Sequence, residues 1–279
     1  FSSNPFYVLE NIYNDKKFRD YKKVISVNKL SFPKVKALLD NYGFKDNVQI
    51  VQKNSPAYCK ALTTAKYLVN NVAFPTYFIK REGQIYLNTW HGTPLKGLGR
   101  SIKDNPNTIG NVQRNFLMSD YLLYPNAYSF EHIKEDYMLD WFYKGKYVLG
   151  GYPCNGRFFD NSRVNKIRRD FGLEGKKVVV YMPTWRSVPK GDEINKQIYY
   201  IMHLLVEMES RLDENTVVFV KLHHLASAEI DLEDFEKIRE FPSNYETYDF
   251  LSIADCLITD YSSVMFDFAK TGRKILLYT

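Results

Sequence analysis

The sequence predicts an α/β protein built on mainly parallel sheets. Short runs of β-branched and aromatic residues alternate with amphipathic segments of helical length, a pattern typical of a parallel sheet covered by helices. The chain has 279 residues, more than most single domains, so two domains are expected. Residues 150–153 (Gly-Gly-Tyr-Pro) interrupt the alternation, and we place the boundary there, with domains at 1–155 and 156–279.

Each predicted element has a local signal. In the first domain, Ser55-Pro56 offers an N-cap and a first-turn proline to one helix, and a helix from Pro33 is expected to end at Gly43. A basic amphipathic stretch at 163–169 opens the second domain. The predicted strands of the first domain are 23–27, 48–51, 67–69, 77–79, 85–87, 121–124 and 147–149, and those of the second are 177–182, 217–221, 256–259 and 275–278.

Composition narrows the class of protein. With 45% hydrophobic and 25% charged residues, the chain is not disordered, collagenous or a coiled coil. Its net charge of +6 suits phosphate-rich ligands or an anionic membrane surface. Cys59, Cys154 and Cys256 have neither disulfide-framework nor zinc-site spacing, which favours a reducing, cytosolic compartment.

The ends of the chain and its hydropathy lead to two further expectations. No apolar run approaches the roughly 18 residues that a membrane-spanning helix needs. The chain opens without methionine, and residues 274–279 have the pattern of a buried strand, so we expect it to be part of a longer protein.

Four polar motifs follow predicted strands, at the strand ends where open α/β sheets bind ligands. The first is a glycine-bearing loop after the 85–87 strand, with His91, Gly92, Thr93 and Lys96. Glycines let backbone N–H groups approach an anion, and Lys96 adds positive charge. His91 can exchange a proton near neutral pH. A structural hydrogen-bonding role for His91 is the alternative.

The second and third motifs each place a cation at a strand end. Arg186 follows the 177–182 strand and could bind a phosphate through two parallel hydrogen bonds, or pair with a surface carboxylate. Lys221 ends the 217–221 strand and is followed by His223 and His224. Strand alternation puts Lys221 and His223 on one face and His224 on the other, so one histidine at most joins the lysine. Adjacent histidines that diverge do not suit a zinc site.

The fourth motif follows the 256–259 strand. Thr259, Asp260, Ser262 and Ser263 form a polar turn before a predicted helix, where hydroxyl groups can hold a pyrophosphate. Serine is also an ordinary N-cap, so that reading stays open. Asp260 and Asp267 are either ligands of a divalent cation or a cap and part of a solvated face. No metal or other cofactor is required by the sequence, and dependence on a divalent cation is left open.

Together the motifs resemble those of the CDP-glycerol glycerophosphotransferase family, the bacterial enzymes that build the poly(glycerol phosphate) or poly(ribitol phosphate) chains of teichoic acids. The resemblance covers nearly the whole chain, and residues 90–96 and 259–263 are its most distinctive parts. It implies a glycosyltransferase-B-like fold, in which two Rossmann-like domains face each other across a cleft. The first would handle the acceptor. The second would bind CDP-glycerol and is incomplete at its C-terminus.

The chain departs from the family pattern at several positions. Cys154 and Gly156 stand where the family usually has an arginine and an aspartate. Arg157 could compensate for the missing arginine. Lys221 also stands where arginine is common in the family.

The resemblance implies a phosphoryl transfer. The terminal hydroxyl of an undecaprenyl-diphosphate-linked acceptor attacks the β-phosphorus of CDP-glycerol or CDP-ribitol, and CMP leaves. His91 would be the general base. The charge on the departing CMP would be stabilised by His223, Arg186 and the Ser262/Ser263 helix start. The enzyme would be cytoplasmic and peripheral on the inner face of the cell membrane, with no nucleic acid partner. A homo-oligomer is left open.

Two other classes remain as alternatives. One is a nucleotide-sugar glycosyltransferase of the same fold, and the other is a non-catalytic polymer-binding domain. The presence of both His91 and His223 argues against the second, because a silent domain needs neither. Residues 137–146 mix aromatic and basic side chains, which is typical of a membrane-interface segment or of a helix packed on the sheet.

Overall fold

The computed structural model describes residues 3–102, 107–184, 192–222 and 230–278. The chain divides into two compact units. The first comprises Phe1–Gly156 and Ser243–Thr247, and the second comprises Arg157–Pro242 and Tyr248–Thr279. The paired strands are parallel in both units, so the predicted α/β class is confirmed.

The first unit contains two sheets, β1-β2 and β3-β4-β5-β6. Ser55 caps α3 by accepting a hydrogen bond from the Tyr58 N–H, and Gly43, with φ of +72°, follows the end of α2, both as predicted. The elements are α1 (Asn4–Asn14), β1 (Lys23–Val27), α2 (Phe32–Asn41), β2 (Val48–Gln52), α3 (Pro56–Thr64), β3 (Tyr67–Asn70), β4 (Ile85–Asn88), α4 (Asn107–Met118), β5 (Tyr121–Tyr124), α5 (Ala127–Asp136) and β6 (Lys146–Leu149).

Two predictions for the first unit are wrong. Residues 77–79 are not a strand: the Phe78 N–H donates to the Pro75 carbonyl at 3.0 Å in a local turn, and only Phe78 of the three is buried. Residues 137–146 are not a helix, because α5 ends at Asp136 and the chain continues in turns before β6. Leu139 is buried there, whereas Trp141 is exposed.

The 243–247 segment of the first unit is connected to the start of α1 through a buried glutamate. Glu246 accepts hydrogen bonds from the Ser3 N–H and the Tyr7 hydroxyl, each at 2.7 Å. The partners are more than 230 residues apart along the chain. These bonds fix the start of α1.

The second unit is one five-stranded parallel sheet in the order β11-β10-β7-β8-β9. β8 is buried along its whole length, as expected of an interior strand that is covered on both faces. The short edge strand β9 was not predicted. The elements are α6 (Asn161–Asp170), β7 (Lys177–Met182), α7 (Asp192–Arg211), β8 (Thr216–Val220), β9 (Ile238–Glu240), α8 (Thr247–Leu251), β10 (Cys256–Thr259), α9 (Val264–Phe268) and β11 (Lys274–Leu277).

The helices of the described ranges are too short or too polar to span a membrane.

Candidate functional site

In the second unit, strand order reverses between β7 and β10. From β7 the chain moves outward to β8 and β9 on one side, and it returns to β10 and β11 on the other. Such a reversal leaves a crevice at the carboxyl ends of the two central strands, where open α/β sheets bind ligands. Thr184 follows β7 at this edge, and Asp260, Ser262 and Ser263 follow β10.

Thr259 and Asp260 tie the two strand ends together. The Thr259 hydroxyl donates to the Met182 carbonyl at 2.6 Å. One Asp260 carboxylate oxygen accepts from the Thr184 N–H and the other from the Thr184 hydroxyl, both at 2.8 Å. Because Asp260 is buried, these bonds hold the loop after β7 in place. Direct phosphate contact by Thr259 or Asp260 stays a prediction.

Ser262 and Ser263 have a different environment. Ser263 occupies the N-cap position of α9, but its side chain makes no capping hydrogen bond, so its interpretation as an ordinary cap is wrong. Both side chains are half-buried, and within the described residues neither hydroxyl is engaged by the protein. Two hydroxyl groups at this edge are therefore available to the oxygen atoms of a ligand.

Asp267 does not belong to a solvated face. It is buried, and its carboxylate accepts a hydrogen bond from the Tyr248 hydroxyl at 2.7 Å. Within the ranges that the structure covers, no three His, Cys, Asp or Glu side chains are grouped as metal ligands would be.

In the third motif, Lys221 lies within the part of the chain that the structure describes. It directly follows β8, its N–H donates to the Tyr181 carbonyl at 2.9 Å, and its Nζ lies 4.4 Å from the centre of the Phe241 ring. A cation over an aromatic face is attracted by the ring quadrupole, so the ring orients the ammonium group. Arg186, His223 and His224 lie outside the described residues, and their roles stay predictions.

In the first unit, the loop after β4 is shaped by Asn88. Its Oδ1 accepts from the Trp90 N–H at 2.9 Å, and its Nδ2 donates to the Val72 carbonyl at 3.0 Å. Trp90 has φ of +51°, a left-handed conformation that is unfavourable for a bulky residue. The hydrogen bonds of Asn88 hold this turn, and they thereby fix the position of the backbone at the next residue, His91.

His91 is held in one tautomer. Its Nδ1 lies 2.5 Å from the Asn71 carbonyl oxygen. A carbonyl oxygen can only accept, so Nδ1 carries the proton and Nε2 keeps its lone pair when the ring is neutral. Part of the ring reaches solvent, yet the surrounding protein displaces enough water to lower the pKa of His91, an effect that the Asn71 hydrogen bond partly opposes. The geometry presents a neutral imidazole that can accept a proton at Nε2.

The loop beyond His91 is anchored by Tyr152, which our sequence reasoning did not single out as a site residue. The Gly92 N–H donates to the Tyr152 hydroxyl, which in turn donates to the Gly92 carbonyl, each at 3.2 Å. Thr93 is buried behind the loop, and Lys96 is exposed. The sequence signal for Tyr152 was its place in the Gly-Gly-Tyr-Pro segment at 150–153.

Arg157 does not replace the arginine missing at position 154. Its Nε lies 2.7 Å from an Asp249 carboxylate oxygen, and Asp249 also pairs with Arg163 at 3.0 Å. Asp249 is fully buried. Arg157 is therefore committed to a buried ion cluster in the second unit.

Both units are parallel α/β sheets with polar residues gathered at the carboxyl ends of their strands. Proteins of this class commonly bind phosphate-bearing ligands at those strand ends. The chain belongs to the CDP-glycerol:poly(glycerophosphate) glycerophosphotransferase family, whose model matches residues 1–279. The resemblance found in the motifs is thereby confirmed.

Individual relatives agree with this family. The chain is 32% identical over 289 residues to the teichoic acid poly(glycerol phosphate) polymerase of Staphylococcus epidermidis, covering 98% of this chain and 38% of that protein. It is 31% identical to the corresponding polymerase of Bacillus spizizenii, covering 100% of this chain and 70% of the relative. A solved structure of the wall teichoic acid polymerase TagF superposes with a TM-score of 0.75 at 29% identity, over 100% of this chain and 67% of that one.

Proposed function

We propose that the whole protein transfers glycerol phosphate from CDP-glycerol to a hydroxyl group of a teichoic acid acceptor and releases CMP. The relatives at 31 and 32% identity are named as poly(glycerol phosphate) polymerases, which favours glycerol over ribitol as the transferred unit. The single observation that carries the proposal is the state of His91: a neutral ring, fixed through Nδ1, with Nε2 able to accept a proton.

His91 is proposed as the general base. A hydroxyl group is a weak nucleophile at neutral pH, and a positioned base typically contributes about 10²- to 10⁴-fold to the rate. As the acceptor oxygen forms its bond to the β-phosphorus of CDP-glycerol, the O–H proton moves to His91 Nε2. The bond from that phosphorus to the oxygen of CMP breaks with its electron pair, so the products are CMP and a phosphodiester.

The carboxyl edge of the second unit is the proposed donor site. The hydroxyls of Ser262 and Ser263 and the charge of Lys221 would contact the diphosphate. Arg186 and His223 are proposed to stabilise the negative charge on the departing CMP. Asp260 and Thr259 contribute by holding the loop after β7.

The arrangement of the two domains is part of the same proposal. We infer that 1–155 handles the acceptor and 156–279 binds the donor, as the two halves of a glycosyltransferase-B-like fold. Two Rossmann-like units are compatible with this assignment, because the second has the strand order of a nucleotide-binding half.

The acceptor and the location follow from the proposed chemistry. An undecaprenyl-diphosphate-linked acceptor lies in a membrane, so the enzyme would work as a peripheral protein on the cytoplasmic face. The net charge of +6 supports contact with an anionic surface. Use of CDP-ribitol in place of CDP-glycerol is tested by a direct comparison of the donors.

The proposal is tested with the purified full-length protein, a lipid-linked acceptor and three donors: CDP-glycerol, CDP-ribitol and a UDP-sugar. We expect CMP release and a product heavier by glycerol phosphate units in mass spectrometry. Release of UDP alone would identify a nucleotide-sugar glycosyltransferase. Binding of CDP-glycerol without turnover would identify a binding module.

The role of His91 is tested by His91→Ala beside His132→Ala. His132 is an exposed histidine of the same unit, on α5, and serves as the matched control. We expect His91→Ala to lower kcat by at least about 10²-fold with CDP-glycerol affinity nearly unchanged, because a base acts in the transition state. His132→Ala should keep full activity. Turnover of His91→Ala within threefold of wild type would remove His91 from the mechanism.

A further inference from the structure

Asn4 is a buried asparagine at the start of α1, and it is not among the site residues predicted from the sequence. Its Nδ2 donates to the Trp90 carbonyl, and its Oδ1 accepts from the Cys154 N–H, each at 3.4 Å. The first contact needs a donor and the second needs an acceptor, so one orientation of the amide group satisfies both. A single side chain thus connects the loop after β4 with the segment after β6.

The carbonyl that Asn4 contacts belongs to the peptide bond between Trp90 and His91. A peptide group is planar, so a contact that holds its oxygen also holds the His91 nitrogen and Cα. The Thr89 hydroxyl donates to the same oxygen at 3.2 Å, and the Trp90 N–H donates to Asn88. These contacts matter because the φ of Trp90 is +51°, and a strained backbone persists only where its surroundings over-determine it.

The peptide group on the other side of His91 is also held. The Gly92 N–H belongs to the His91–Gly92 peptide bond, and it donates to the Tyr152 hydroxyl at 3.2 Å. Tyr152 lies in the same segment after β6 as the N–H that Asn4 contacts. Both peptide groups that flank His91 are therefore connected to this segment, one directly by Tyr152 and the other through Asn4.

The backbone at Asn4 is itself fixed. Pro5 lies in the first turn of α1, where the fixed φ of a proline suits a helix. The Ser3 N–H donates to the buried Glu246 carboxylate at 2.7 Å, and Phe6 is buried. Because the helix start is held on both sides of Asn4, its amide group is pre-organised for its two contacts.

We propose that Asn4 is a positioning residue for His91. Through the Trp90–His91 peptide group, Asn4 keeps the imidazole ring where Nδ1 donates to the Asn71 carbonyl and Nε2 is left to accept a proton. Asn4 does not touch the reacting atoms. A displacement of about 1 Å can lower a rate by about 10²-fold, so small shifts of this peptide group affect turnover.

The effect on turnover rests on the proposed function, in which His91 is the general base. The position of the ring does not, because it can be measured in the absence of any reaction. The two measurements therefore separate a failure of this inference from a failure of the proposed function.

Three single variants of the full-length protein separate positioning from packing. Asn4→Ala removes both amide contacts and opens space, whereas Asn4→Leu removes the contacts and fills a similar volume. Leu9→Ala is the matched control, because Leu9 is buried on the same helix and its apolar side chain makes no hydrogen bond to the loop after β4. All three should lower Tm, since each removes a buried group.

The ring is observed by ¹⁵N NMR of the histidine nitrogens at about pH 8, where a histidine is neutral, and the His91 signals are those absent from His91→Ala. Wild type and Leu9→Ala should show one tautomer, with the proton on Nδ1. In both Asn4 variants we expect part or all of the proton on Nε2, because a ring released from the Asn71 carbonyl can carry its proton on either nitrogen. An unchanged Nδ1–H tautomer in either Asn4 variant, or a changed one in Leu9→Ala, would overturn the inference.

Turnover measures the consequence. We expect kcat of both Asn4 variants to fall at least about tenfold with the Kd of CDP-glycerol within about twofold of wild type, because the proposed donor site lies in the second unit. Leu9→Ala should keep kcat within about twofold of wild type despite its lower Tm. An equal loss of kcat in Leu9→Ala would assign the effect to packing and overturn the inference. If the tautomer changes in the Asn4 variants and kcat does not, Asn4 positions His91 but His91 is not the general base, so the proposed function fails and this inference stands.

Discussion

Asp249 offers the sharpest test of how the second unit is stabilised. Its carboxylate is 0% exposed, and its partners Arg157 and Arg163 are 13% and 25% exposed. Replacing it with alanine removes the acceptor from two guanidinium groups. Breaking a buried ion pair from one side costs about 3–5 kcal/mol. Part of this cost is recovered, because Asp160 lies 3.2 Å from Arg157 and water reaches the partly exposed Arg163. We therefore expect the free energy of unfolding to fall by about 3 kcal/mol.

The control is Glu207→Ala, because Glu207 pairs with Arg211 on an exposed face of α7, where the two side chains are 47% and 75% exposed. An exposed pair contributes at most about 1 kcal/mol. The free energy of unfolding of each variant is measured by urea titration at pH 7, followed by circular dichroism. If Asp249→Ala lies within about 1 kcal/mol of wild type, the ion cluster is not a major source of stability and the reasoning fails.

The remaining predictions concern the two carboxyl edges. Burial lowers the pKa of His91 below the ordinary histidine value, so His91 is neutral at pH 7. We therefore expect kcat/KM to fall only as pH drops below about 6.5, the ordinary histidine pKa. An activity loss centred above pH 7 would contradict this. Ser262→Ala with Ser263→Ala should weaken CDP-glycerol binding about tenfold in calorimetry without lowering Tm, since neither side chain caps α9; unchanged affinity would exclude contact with the diphosphate. Tyr152→Phe leaves the Gly92 N–H and carbonyl without their partner, so kcat should fall about tenfold at unchanged donor affinity; an unchanged kcat would show that the loop holds its shape without this anchor.

Elements with local signals were predicted well. β7 and β10 were placed with their observed bounds because each is a short apolar run followed directly by a polar turn. The cap of α3 was also correct, since Ser55-Pro56 acts within one helical turn. The prediction failed where packing outweighed the local pattern. Residues 77–79 have the composition of a strand, but the Phe78 N–H is bonded within a local turn and the Phe78 ring packs in the core.

The sequence by itself determined the α/β class, the family and the strand ends that carry polar residues. Periodicity and short motifs depend only on residues that are close together in the sequence. Only the tertiary structure decided what those residues touch. The Asn71 carbonyl fixes the tautomer of His91 from 20 residues away, and Asp260 holds Thr184 across 76 residues. Contacts of this kind form when parallel strands bring distant segments to one edge, and no local pattern specifies them.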